Sequence, residues 1–272
     1  VTKLVVEAPL IAKSRRAGHF VIVRAGEKGE RIPLTIADSD PKAGTITLVI
    51  QSVGDSTRKI CALEPGECLH DVVGPLGNPA EFENMHKVIV VGGGSGCAIA
   101  WPQAKGAFDK GCTVDIVAGF RTKGIVVLED EMRACCRNLY MMTDDGSYGE
   151  KGFTTVKLKE LLEKAKAEGE QYDTCICIGP LPMMKFVCQL TQKLGIHTIV
   201  SMNPVMVDGT GMCGACRLTV GNEVKFACVD GPDFDGFEVD FDEAMKRSGI
   251  YKEEERKAYD ELKKWKNKYA GR

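Results

Sequence analysis

Histidine is scarce in this chain: four residues, at positions 19, 70, 86 and 197, in 272. A metal site in the C-terminal part must therefore draw on other side chains, since its nearest imidazole is His197. Aromatic residues make up only 7%. Charge of one sign is also lacking. Lys and Arg number 36 against 38 Asp and Glu, a net charge of −2, which gives no basis for a nucleic acid or an anionic membrane as partner. No uninterrupted apolar run approaches the roughly 20 residues of a membrane span. Val1 opens directly on what reads as a strand, with no secretory signal pattern, so a cytoplasmic location is expected.

Cysteine, by contrast, is plentiful, at twelve. Several lie inside apolar runs such as Cys175-Ile176-Cys177-Ile178, where a thiol behaves as a small hydrophobe. That usage suits a reducing compartment better than a disulfide scaffold. Three cysteines form a pattern of their own. Between Asp208 and Cys228 the chain reads D-G-T-G-M-C-G-A-C-R-L-T-V-G-N-E-V-K-F-A-C. Cys213 and Cys216 make a C-x-x-C, Cys228 follows after eleven residues, and Asp208 precedes by five. Plant-type [2Fe–2S] proteins use C-x₄-C-x₂-C and a distant fourth Cys. Here a carboxylate occupies the first place. Glycines at 209, 211, 214 and 221 permit the tight turns that aim backbone N–H groups at sulfide. The competing readings are a zinc site, which lacks an obvious fourth soft ligand, and a redox dithiol, which needs neither Cys228 nor the glycines. For the fourth iron ligand Asp208 leads, with Thr210, Asp230 or water as alternatives.

At 272 residues there is room for about two domains. Residues 3–8, 20–24, 32–36 and 45–50 are β-branched segments separated by turn signals, which predicts a small antiparallel barrel. Arg31 and Thr35 put a cation and a hydroxyl on one strand, suited to a diphosphate and a flavin ring nitrogen. Gly54-Asp55-Ser56-Thr57 offers N–H groups and hydroxyls to a phosphate. Gly74 to Pro79 reads as a tight turn.

From His86 the pattern changes to strands alternating with helices, which predicts a parallel sheet covered on both faces. Strands are expected at 86–91, 113–118, 139–143, 174–178 and 197–201, and helices at 97–110, 125–137, 155–166 and 184–194. Gly92-Gly93-Gly94-Ser95-Gly96 follows the first of these strands and opens a helix, an order that turns N–H groups toward a pyrophosphate. Gly179 to Met183 follows a later strand and should stand at the same edge. A helix is expected to begin near Asp242. Beyond Tyr251, Glu and Lys at i,i+4 spacing suggest a surface helix, with Tyr259, Leu262, Trp265 and Tyr269 on one face.

These motifs carry a resemblance. R-I-P-L-T at 31–35, the G-D-S-T turn, P-G-E at 65–67 and G-P-L-G-N-P at 74–79 resemble the flavin domain of the ferredoxin–NADP reductase superfamily. The resemblance implies that Arg31, Ile32, Pro33, Leu34, Thr35, Val49, Ile50, Gln51, Ser56 and Thr57 hold FAD. I-G-P-L-P-M-M at 178–184 is similar to the family's C-G-P-x-P-M segment beside the nicotinamide, which adds Gly179, Pro180, Pro182 and Met183 to Gly92–Gly96 as NAD(H) contacts. The family's Cys before that Gly-Pro is Ile178 here, with Cys177 one place earlier, so no catalytic residue is assigned. Arg121 and Lys123 leave NADP(H) open.

The implied organisation is an FAD-binding barrel at 1–83, an NAD(P)-binding α/β domain at 84–201, a [2Fe–2S] loop subdomain at 202–240 and a helical tail at 241–272. Over its whole length the chain resembles the electron-transfer subunits of bacterial dihydroorotate dehydrogenases. It resembles more closely the small subunits of NADH-dependent reduced ferredoxin:NADP oxidoreductases, also called sulfide dehydrogenases, which carry Asp where the dihydroorotate type has Cys. That resemblance implies metal ligation by Asp208, Cys213, Cys216 and Cys228. It also implies a heterodimer with a larger iron–sulfur flavoprotein subunit, through which electrons reach ferredoxin in a bifurcating reaction. A dihydroorotate dehydrogenase electron-transfer subunit and a non-enzymatic iron–sulfur redox sensor are the alternatives.

Overall fold

The computed structural model describes residues 1–257, 259 and 260. The aromatic stripe expected on the C-terminal tail falls, apart from Tyr259, outside these residues. Strands β1 (Thr2–Glu7), β2 (Phe20–Arg24), β3 (Ile32–Asp40), β4 (Thr45–Ile50) and β5 (Asp71–Leu76) form an antiparallel sheet in the order β1-β4-β3-β2-β5. Alternation sets its core face: Ile46, Leu48 and Ile50 on β4 are buried while their neighbours are not. No pairing joins β1 to β5 among the described residues, so the hydrogen bonding found is that of a curled sheet with two ends rather than a closed cylinder. Gly74 and Pro75, read as part of a turn, lie inside β5. β5 is an edge strand, where a missing proline N–H costs no ladder bond. Two short helices, α1 (Pro9–Ser14) and α2 (Asp55–Cys61), had no periodic signal.

The second sheet takes β6 (Lys87–Gly93), β7 (Thr113–Phe120), β8 (Asn138–Thr143), β9 (Glu150–Lys151), β10 (Thr174–Ile178) and β11 (His197–Ser201), all parallel. After the hairpin β12 (Arg217–Val220) and β13 (Glu223–Phe226), strand β14 (Asp233–Asp235) joins β11 antiparallel. The order is β14-β11-β10-β6-β7-β8-β9. Every residue of β10 is buried, as a central strand covered on both faces requires. Helix α3 (Cys97–Asp109) covers one face and packs with Ala37 and Val49 of the first sheet. Helices α5 (Thr154–Ala167) and α6 (Leu181–Lys193) cover the other. The helix expected over 125–137 shrinks to α4 (Glu129–Arg133), because Leu128 adopts the left-handed conformation at φ 58° and cannot continue it backward. No helix among the described residues is long and apolar enough to cross a membrane.

The C-terminal region shares the α5/α6 core: Cys216, Leu218, Ala227, Cys228 and Phe234 pack with Val187, Val200 and Met206. Helix α7 (Phe241–Ser248) is capped by Asp240, which accepts the Glu243 N–H. Gln103 on α3 donates to both oxygens of Asp233 at 2.9 Å, which ties the two regions across the sheet edge. Burial leaves Asp233 titrating above the ordinary aspartate range, although the hydrogen bonds from Ser201 and Gln103 pull the other way.

At the opposite, N-terminal edge Asp115 is buried among donors. Arg137 Nη2 lies 2.6 Å and the Tyr172 hydroxyl 2.6 Å from Oδ2, and Asn138 Nδ2 lies 2.9 Å from Oδ1. Burial opposes the charge, but these hydrogen bonds outweigh it and hold the carboxyl below its usual range. Asp115→Ala leaves those donors unpaired and is expected to cost about 3 kcal/mol in urea unfolding at neutral pH. A depressed carboxylate contributes fully above its unfolded value near pH 4. Its contribution is lost as pH falls through the lower folded value, so the gap between the wild type and Asp115→Ala should close in acid.

Candidate functional site

The two glycine-bearing turns meet at the C-terminal edge of the parallel sheet. A Cβ at Gly93 would stand 2.6 Å from Met183 Sδ, and one at Gly96 would stand 2.5 Å from the Ile178 carbonyl oxygen. At Gly96 only glycine lets the two backbones approach so closely, while at Gly93 the side chain of Met183 fills the space a Cβ would take. The turns open on a cavity of about 840 Å³ walled by Gly93, Ser95, Gly96, Gly179, Pro182 and Met183. Gly94 and Pro180 also line it, while Gly92 lies behind it in β6, packed on Cys97. Arg121 and Asp144, from the ends of β7 and β8, stand at the far wall. Gly96→Ala is expected to cost about 2 kcal/mol through overpacking, read as a lower midpoint in urea unfolding.

Ile178 lines this cavity, while Cys177 faces the other side of the sheet among Cys175, Met184 and Cys188. Burial pushes the Cys177 thiol well up. No thiol from β10 reaches the ligand face.

A second cavity, of about 390 Å³, lies between the two sheets. Pro33, Leu34, Thr35 and Ile50 of the first sheet and Thr57 of α2 form one wall. Val49, Gln51, Ser95 and Asn203 line both cavities, so the two adjoin. The size falls in the range of small-ligand sites. Ile32, Arg31 and Ser56 do not line it. The Ser56 hydroxyl donates to Glu30 at 2.5 Å. The Thr57 hydroxyl also accepts the Val53 and Gly54 N–H groups, both at 3.0 Å. The sequence reading missed Asn203, Pro204 and Met206 as wall residues. Their signal is an Asn-Pro turn at the C-terminal end of β11, where ligands of open α/β sheets collect.

Past Met206 the chain enters the cysteine loop. Gly209, Gly211, Gly214 and Gly221 all adopt positive φ. The Cys216 thiol donates to Cys228 Sγ at 3.3 Å, with no disulfide between them, and both are buried, while Cys213 is exposed. Asp208 turns into the same loop. Its Oδ2 accepts the Met212 and Cys213 N–H groups at 3.1 and 3.2 Å, and its Oδ1 accepts the Thr210 N–H at 3.1 Å and the Thr210 hydroxyl. The Thr210 hydroxyl, then the Cys213 N–H, hold this carboxyl down to about 2. Asp230 is committed elsewhere, accepting the Phe226 N–H at 2.6 Å.

Asp208 thus lies against the Cys213 backbone, while the Cys216 and Cys228 side chains lie side by side. Among the described residues no three His, Cys, Asp or Glu surround one point as ligands of a single ion would. Three thiols and a carboxylate gathered in one loop are a donor set that fits an iron–sulfur cluster. Burial and the neighbouring Cys216 push the Cys228 thiol up to about 12, so binding metal there must displace protons.

Residues 203–240 match the family model described as the iron-sulfur cluster binding domain of dihydroorotate dehydrogenase B. A dihydroorotate dehydrogenase B (NAD(+)) electron transfer subunit homolog of Thermotoga maritima is 44% identical over 259 residues, covering 95% of this chain and 90% of that one. The chain belongs to the family of dihydroorotate dehydrogenase B electron-transfer subunits and their homologues. An uncharacterized protein of Clostridium beijerinckii is 52% identical over 260 residues, covering 93% and 87%. A solved structure of an NADH-dependent reduced ferredoxin-NADP oxidoreductase, studied for flavin-based electron bifurcation, superposes with TM-score 0.87 at 42% identity, covering 96% of this chain and 92% of that one. The architecture of this electron-transfer subunit, an antiparallel sheet followed by a mixed sheet and an iron–sulfur segment, is therefore that of an established group of oxidoreductase subunits.

Proposed function

We propose that the chain is the NAD(H)-binding, FAD- and [2Fe–2S]-carrying subunit of a bifurcating NADH-dependent ferredoxin:NADP oxidoreductase. The order of sites carries this reading: the dinucleotide cavity shares Val49, Gln51, Ser95 and Asn203 with the cavity between the sheets, and that cavity borders, through Met206, the Asp208 loop. A flavin bound in the middle cavity supplies the exchange between hydride, which moves as an electron pair, and single electrons.

The protein groups divide the work around it. Gly93 to Gly96 and Gly179 to Met183 hold the pyrophosphate and nicotinamide ends of NAD(H). Ile178 and Met183 exclude water from the transfer position. Thr35 and Gln51 orient the ring system from the first sheet, and Thr57 faces its polar end. Asp208, Cys213, Cys216 and Cys228 hold the iron pair. Around the exposed Cys213, Met212, Val207 and Val229 remain 86%, 48% and 41% exposed, an apolar margin fitted to a larger iron–sulfur flavoprotein subunit that passes electrons on to ferredoxin. Asp208, where the dihydroorotate type has Cys, favours the ferredoxin:NADP assignment.

An absorption spectrum with iron and flavin counts on the purified complex tests the reading. The expected result is FAD and an iron pair per chain, NADH-driven dye reduction and a co-purified iron–sulfur flavoprotein. An FMN barrel enzyme as partner would instead favour the dihydroorotate role. Absence of flavin, with iron retained, would leave a sensor.

A further inference from the structure

Arg31 stands where the family resemblance expects a diphosphate ligand, yet its guanidinium is directed elsewhere. Nε donates to the Val207 carbonyl at 2.9 Å and Nη2 to the Asp208 carbonyl at 3.3 Å. Two donors of one rigid fork on successive carbonyls fix the orientation of the peptide between them. The next residue, Gly209, has φ +80°, and a Cβ there would stand 2.9 Å from both Ile22 Cγ1 and Leu76 Cδ1. The first sheet therefore clamps the chain at the step between Met206, which lines the middle cavity, and the Asp208 carboxylate. Arg31 is also half-buried, so its charge is less screened than a surface cation's.

We infer that Arg31 is a positioning residue for the iron–sulfur site: it sets the path of the Val207–Asp208 backbone and places a fixed positive charge beside the carboxylate end of the cluster. This rests on the cluster assignment above. A cation next to the site favours the form carrying the added electron, so its removal makes the cluster harder to reduce. The lever needs no contact between Arg31 and the metal. It works through the backbone of the ligand and through the field.

The experiment compares wild type, Arg31→Gln and Arg31→Lys in the purified complex by EPR-monitored redox titration, with FAD counted in each. A wild-type complex without a [2Fe–2S] signal would sink the cluster assignment itself, whatever the variants do. Given that signal, Arg31→Gln should keep its FAD, show shifted g-values and have a roughly tenfold smaller one-electron equilibrium constant for cluster reduction, about 59 mV. Arg31→Lys should recover the potential but not the g-values, since it keeps the charge and loses the fork. Arg31→Gln with an unchanged signal and potential overturns the inference. So does loss of FAD with an unaltered cluster, which would return Arg31 to the diphosphate. If the Gln variant does not assemble, Lys decides: a potential still below wild type with full iron removes the charge effect, and native g-values remove the fork.

Discussion

Asp208→Cys is expected to lower the midpoint potential of the cluster by on the order of 100 mV. A carboxylate oxygen donates less electron density to iron than a thiolate, so the oxidised form is less favoured with Asp in place. Centres in which two imidazoles replace two thiolates lie several hundred millivolts above all-thiolate clusters, and a single anionic carboxylate should have a smaller effect of the same sign. The surroundings of Asp208 add to it. The Thr210 hydroxyl and the N–H groups of Thr210, Met212 and Cys213 all donate to its oxygens, drawing density away from any metal. A sulfur at this place accepts those bonds more weakly and returns density to the iron. EPR-monitored titration of the variant complex checks this. A midpoint that stays or rises removes Asp208 from the ligand set.

Cys228→Ala should separate the two halves of the electron path. Cys228 is buried 3.3 Å from Cys216, and both belong to the core shared with α6 and β11. Removing an outer-shell partner of a metal typically costs 10–100-fold in affinity, so deleting a ligand is expected to lower iron retention by roughly 100-fold or more. The cavity left by one small side chain costs only about 1 kcal/mol, so the sheets and the FAD content should survive. NADH should then still bleach the flavin at near the wild-type rate in stopped flow, while delivery to the partner subunit is lost. Failure of both steps would mean that the thiol supports the fold rather than the electron path.

Most of this architecture was legible because its determinants are local. Strands β10 and β11 fall at the expected residues, since short β-branched runs between turn signals have few other ways to pair their backbone. The turn at Gly92–Gly96 followed from strand, glycines and helix in succession. Other elements left no such plain trace. The hairpin of β12 and β13 turns at Gly221-Asn222, a two-residue hairpin signal obscured in a stretch dominated by its cysteines. Strand β5 contains Gly74-Pro75, a turn signal everywhere except on an edge. The helix start at Glu129 depended on one left-handed residue, Leu128, which no composition rule singles out.

The spacing of Asp208, Cys213, Cys216 and Cys228, and the glycines that let a loop close around them, were set by the order of residues alone. Backbone conformation over a dozen residues is a short-range matter. What only the tertiary structure decided is which side chains from distant segments share a space. Asn203 and Met206 wall a cavity with Val49 and Thr35, Ile178 rather than Cys177 lines the cavity at the glycine turns, and Arg31 reaches across 176 positions to Val207. Those outcomes depend on how two sheets and helix α3 pack. A strand buried on both faces, or a long flexible cation at a strand's start, carries no mark in its own sequence of the direction in which it will point.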